Sequence, residues 1–145
     1  MQAKWYLIFI LILVVSTSFV DRQDGITVTV TGLRNNKGHV LLSLFKGAEG
    51  YPGNPSKAFR KVQLTISANK ASIDFPSLPS GDYAIAILHD ENDDQKMKTN
   101  WLGLPAEGYG FSNNVMGVAG PPSFNKAHFN YTAGKAVTIT IKTRY

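Results

Sequence analysis

Apolar and polar positions alternate along much of the chain, and the alternation marks out short strands. Residues 26–31 place Ile26, Val28 and Val30 on one face and Thr27, Thr29 and Thr31 on the other, the pattern of a half-buried strand. Residues 40–45 are apolar at nearly every position, as in a strand covered on both faces. The turn residues Asn35-Asn36-Lys37-Gly38 lie between the two and predict a hairpin. Gly47, Gly50, Pro52, Gly53 and Pro55 make 46–56 a loop. A third strand over 61–67 points Val62, Leu64 and Ile66 inward. After a turn at Ala68-Asn69-Lys70 a fourth covers 71–75. Pro76 stops it, because proline lacks the ladder donor. Residues 81–88 put Tyr83, Ile85 and Ile87 on one face and Ala84, Ala86 and Leu88 on the other. Such a segment belongs in the middle of a sheet. Residues 124–131 and 135–142 complete the set around Ala133-Gly134. Their inward positions are Ala127, Phe129 and Tyr131, then Val137, Ile139 and Ile141. About seven short strands and no helix predict an all-β fold, a single antiparallel β-sandwich.

One stretch breaks the rhythm. Residues 89–122 lie between the fifth and sixth predicted strands and hold five of the chain's ten acidic residues and five of its thirteen glycines, with Trp101, Tyr109 and Phe111 among them. Loops longer than about 12–15 residues inside a compact domain are usually functional or disordered, so the search for chemistry concentrates there.

The N-terminus changes the picture of the compartment. Lys4 precedes an unbroken apolar run over residues 5–15, followed by the small residues Ser16-Thr17-Ser18. That is the design of a signal peptide over 1–18, with a single domain over 19–145. The run is short for a spanning helix, although an uncleaved anchor over 5–20 is the alternative. The expected location is exported, periplasmic or extracellular, with no transmembrane segment after cleavage. No cysteine is present, so the fold must hold without disulfides, which is ordinary in a bacterial envelope. The formal net charge is +5. The basic residues are scattered among Lys57, Arg60, Lys61, Lys70, Lys126, Lys135, Lys142 and Arg144 rather than gathered in a stripe. This argues against a nucleic-acid partner.

The run from Phe75 to Asp90 contains Leu78-Pro79-Ser80-Gly81-Asp82-Tyr83 and resembles the turn that feeds a central strand in prealbumin-like and Ig-like sandwiches. More of the chain resembles a specific family. Gly32-Leu33-Arg34, Lys37-Gly38, His89-Asp90-Glu91-Asn92, Thr99-Asn100, Gly103, Pro105, Glu107, Gly110-Phe111-Ser112-Asn113 and Gly120-Pro121-Pro122, with Phe124 and Ala127, carry the likeness. It is similar to the secreted bacterial domain-of-unknown-function family numbered 2141. The resemblance runs from about Ile26 to the C-terminus. It implies export, one β-sandwich and a shared loop, and no activity. The family's loop carries Gly where this chain has Gln95 and Asp where it has Lys98, and both departures weaken an ion site.

Three constellations lie in or near the excursion. Asp90, Asn92 and Asp94 have the one-three-five spacing of a calcium loop, with Glu107 as the remaining carboxylate. Gln95 and Leu102 stand where such a loop needs its glycine and bidentate glutamate, which favours a solvated acidic turn held by side-chain-to-backbone bonds. Calcium is therefore the one candidate cofactor. Trp101, Tyr109, Phe111 and Phe124 could form an aromatic platform. Phe111 and Phe124 suit a small core beneath the loop better, while Trp101, Glu107, Tyr109 and Asn113 are the candidate ligand contacts. His89, Asp90, Ser112 and His128 are residue types that serve acyl transfer, but no nucleophile-elbow spacing accompanies them, so no catalytic residue is expected. The sequence thus predicts an exported, non-catalytic binding or structural module that uses 89–122, with an envelope glycan or another envelope protein as partner. A calcium-stabilised carbohydrate-binding module is the second reading and an uncharacterised hydrolase the third.

Overall fold

A computed structural model describes residues 24–145. The expected signal segment 1–18 and the domain start at residue 19 lie outside the described residues. Eight strands form two sheets. The three-stranded sheet runs in the order β4 (Ala71–Pro76), β1 (Gly25–Thr31), β8 (Ala136–Lys142). The larger sheet runs β3 (Arg60–Thr65), β2 (His39–Lys46), β5 (Gly81–Asp90). The free edge of β5 is shared by β6 (Gly108–Phe111) and β7 (Phe129–Tyr131).

The period-two pattern becomes rows of side chains between the sheets. In the smaller sheet Ile26, Phe75 and Val137 are neighbours across strands, as are Val28, Ile73 and Ile139, then Val30, Ala71 and Ile141. Leu42, Leu44, Tyr83, Ile85 and Ile87 meet them from the larger sheet within one continuous core. β5 is the central strand, as expected, and Ile85 and Ile87 are buried. The polar alternates of β1 face outward, where Thr27 donates a hydrogen bond to Asp74.

Several expectations are corrected. β1 and β2 are not a hairpin: β1 pairs antiparallel with β4 and parallel with β8, while β2 lies in the other sheet. The 32–38 segment crosses between sheets, because the inward face of β1 is satisfied only by facing β2 and not by lying beside it. The sixth predicted strand is half helical. Phe124–Ala127 forms one α-turn, α1, and only Phe129–Tyr131 pairs. The excursion is not a single loop either. His89 and Asp90 complete β5, and Gly108–Phe111 is a strand of its own.

The two glycines of β6 make that strand possible. A Cβ on Gly110 would stand 2.8 Å from Ile141 Cγ2, and one on Gly108 would stand 2.6 Å from Thr143 Cγ2 and from the Tyr145 ring. β6 can therefore lie against the end of β8, and Tyr109 and Arg144 exchange two backbone hydrogen bonds of 2.8 Å across the sheets.

Candidate functional site

The site is built outward from the last two residues of β5. His89 is fully buried. Its Nε2 lies 2.9 Å from the Lys37 carbonyl, which can only accept, so Nε2 carries the proton. In the neutral ring Nδ1 then accepts from Tyr145 Oη at 2.6 Å, and the same hydroxyl accepts the Arg34 backbone N–H at 3.0 Å. The Arg34 guanidinium lies 4.4 Å from the Tyr145 ring centre and also bonds Glu91. Burial alone would raise the Glu91 pKa. Hydrogen bonds from Asn35 and Arg34, with the guanidinium charge, hold it below the usual carboxylate range instead.

Asp90 is also fully buried. Its Oδ1 accepts from the Asp94 N–H at 3.2 Å and its Oδ2 from the Gln95 N–H at 2.8 Å. Asp90 thus folds the acidic turn onto its own carboxylate. Asn92 donates to Asp94, and Asp94 accepts from the Lys96 N–H. These bonds lower the Asp94 pKa, the Asn92 side chain contributing most. Asp93 Oδ1 meets His39 Nδ1 at 2.6 Å. Among the described residues no group of three or more His, Cys, Asp or Glu is disposed to hold a metal ion.

Glu107 is the residue whose task could not be read from spacing. It is buried, and its two oxygens accept the Glu91 N–H and the Lys98 N–H, each at 3.0 Å. One carboxylate therefore ties the root of the acidic turn to the start of the next segment. That segment, 98–106, is a small projecting hairpin. The Ala106 N–H bonds the Lys98 carbonyl, Thr99 and Pro105 are bridged, and the Asn100 N–H bonds the Leu104 carbonyl. Asn100 Oδ1 accepts from both the Leu102 and Leu104 N–H groups, at 2.9 and 3.0 Å. Trp101 stands at the tip and is 90% exposed, with Leu102 and Leu104 more than half exposed beside it. Arg34, Lys37, Asn92, Lys98 and the two glutamates border a cavity of about 250 Å³ at the hairpin's base.

The remaining sequence candidates lie on and beyond β6. Tyr109 is half-buried on β6 and stacks edge-on against Phe111 at 6.0 Å. Phe111 and Phe124 belong to a second small core on the outer face of the larger sheet. Tyr51, from the 47–59 loop, meets Phe45, Phe124 and Phe111 at 5.4, 5.8 and 6.3 Å. Burial drives the Tyr51 phenol well above its ordinary pKa.

Ser112 is buried in the gap where β6 has ended and β7 has not begun. Its Oγ accepts from the Ile85 N–H at 2.9 Å and donates to the Ala127 carbonyl at 2.6 Å, replacing a missing strand partner. Asn113 donates to the Lys126 and His128 carbonyls. Asn114 donates to the Thr140 carbonyl and accepts the Lys142 N–H. Ser112 and Asn114 thus reach β5 and β8, one in each sheet, while Asn113, itself exposed, holds the end of α1 through its amide nitrogen. His128 caps α1 rather than sitting on a strand and bonds the Asn125 carbonyl. Among the described residues no hydrogen bond joins any two of His89, Asp90, Ser112 and His128.

No helix among the described residues is long and apolar enough to cross a membrane. No match is found among curated proteins or solved structures. A family model described as "Uncharacterized protein conserved in bacteria (DUF2141)" matches residues 28–140, from the first strand of the sandwich to the last and across the whole excursion. The chain belongs to that bacterial family.

Proposed function

We propose that the chain is an exported, non-catalytic binding module of the bacterial envelope, and that its contact element is the 98–106 hairpin. The observation that carries this reading is Trp101, 90% exposed at the tip of a projection that the fold braces from within. Glu107 and Asn100 engage the hairpin's amides, so the shape does not depend on a partner. A soluble surface normally keeps such a tip polar. A group of exposed Trp and Leu side chains on a built support marks an interaction site. The apolar run at 5–15 with its following small residues supports export.

The test is a photo-crosslinking pair in the producing cell. Trp101→p-benzoylphenylalanine should give an adduct with protein, glycan or lipid. The same side chain in place of Thr138, exposed on the opposite sheet, should give none. Equal yields at the two positions would overturn the reading.

A further inference from the structure

Resting on that reading, we infer that the partner is a lipid bilayer bearing anionic headgroups, with the hairpin tip entering its interface. The tip is convex. Trp101 borders neither of the cavities at the two ends of the sandwich. Its neighbours Leu102, Gly103, Leu104 and Pro105 offer hydrocarbon, and the polar atom closest in sequence, Asn100 Oδ1, already accepts two amides. A sugar site needs several donors and acceptors converging beside the ring, whereas the side-chain donor nearest Trp101 in sequence is the single Asn100 amide nitrogen. Tryptophan with leucine is the chemistry of a membrane interface.

The charges fit the same geometry. No residue from Thr99 to Ala106 is charged. At the root, Glu107 is buried with both oxygens bonded to amides. Lys37 and Lys98 border the root cavity without a carboxylate partner among the described residues. About three extended residues separate root from tip, roughly 10 Å of chain. Interfacial segments bury their apolar face by about 5–10 Å. With the tip at that depth, the hairpin's root at Lys98 stands at the level of headgroup phosphates, and Lys37 borders the same cavity. Asp93 and Asp94 are exposed on the preceding turn and oppose the attraction, so hydrocarbon contributes more than charge.

Trp5→Phe leaves Trp101 as the single indole of the full chain. The probe is vesicles of phosphatidylcholine and phosphatidylglycerol with brominated acyl chains. Trp101 fluorescence should shift to the blue and be quenched. The double substitution Leu102→Asp and Leu104→Asp, at exposed positions, should reduce quenching at least tenfold. Lys37→Gln with Lys98→Gln should weaken quenching several-fold in phosphatidylglycerol vesicles and little in phosphatidylcholine alone. The N-terminal run is present in every variant, so the Asp pair separates insertion of the tip from tethering by that run; absent quenching overturns the inference, as does quenching that survives the Asp pair. A blue shift caused by soluble envelope glycan without lipid also overturns it. If the crosslink at position 101 forms while lipid quenching fails, the binding-module reading stands and the lipid assignment falls. If neither appears, both fall.

Discussion

Two neighbouring parts of one excursion use the same residue types to opposite ends. In 98–106 an asparagine, a glycine and an aromatic build a projection that holds Trp101 in solvent. In 108–114 asparagines, glycines and aromatics turn inward, burying Phe111 and clasping both sheets. The difference lies in what the amide side chains hold. Asn100 bonds the amides of its own turn, which leaves the aromatic outside. Asn113 and Asn114 bond carbonyls and an amide of distant segments, which draws their surroundings together. An aromatic beside asparagine and glycine is therefore left in solvent here where the hydrogen bonds are local, and buried where they reach distant segments.

The comparison can be broken most severely at Phe111. Phe111→Ala should cost about 3–5 kcal/mol in urea unfolding, because it opens a cavity between Tyr51 and the sheet. A loss under about 1 kcal/mol would place that ring outside any core. Ser112→Ala comes next. It leaves the buried Ile85 N–H and Ala127 carbonyl without their shared partner and should cost about 1–3 kcal/mol. A neutral result would mean water replaces the hydroxyl.

Acid and alkali should act on different parts. The lowered Glu91 pKa means that its contribution is present above the ordinary carboxylate value and is lost as pH falls through the folded value. Acid should therefore loosen the hairpin's root, and Glu91→Gln should flatten that limb of a stability–pH curve. Tyr51 has the opposite sign. Its raised pKa keeps stability intact below the ordinary phenol value near 10.0, and the contribution declines as pH rises beyond it. Tyr51→Phe should remove this alkaline limb; a limb of unchanged slope would assign it to other tyrosines.

Trp101→Ala should change unfolding free energy by no more than about 0.5 kcal/mol, as for an exposed side chain. A larger loss would make the tip part of the fold and collapse the contrast. The smallest effect concerns calcium. The acidic turn is already closed by the amides of Asp94 and Gln95 on Asp90. Millimolar calcium is expected to leave the thermal midpoint within a degree. A weak site with a dissociation constant on the order of 10⁻⁴ M would add about 1.4 kcal/mol at ten times that concentration and raise the midpoint by several degrees.

The strands were legible because alternation is a local signal. Ile26, Val28 and Val30 declare a face whatever lies opposite. Their distribution between two sheets was not legible, since the 32–38 turn suits a hairpin as well as a crossing. β6 was not legible because two of its four residues are glycines, which strands disfavour, and the glycines are demanded by Ile141, Thr143 and Tyr145, more than 30 residues away. Trp101 stood out as an isolated aromatic in a polar stretch. The structural work of Glu107 and Asn113 was not legible, because their partners are backbone groups, which leave no trace in side-chain spacing.

The parallel pairing of β1 with β8 governs how the molecule comes into being. Gly25 faces Ala136, and the register continues to Thr31 against Lys142. The first described strand therefore lacks one of its two neighbours until the last has been synthesised. Contacts so distant along the chain make folding slow. Until they form, one edge of β1 is an open template for intermolecular pairing. A nascent chain of this protein spends its synthesis unable to complete its smaller sheet, a state that is vulnerable to aggregation.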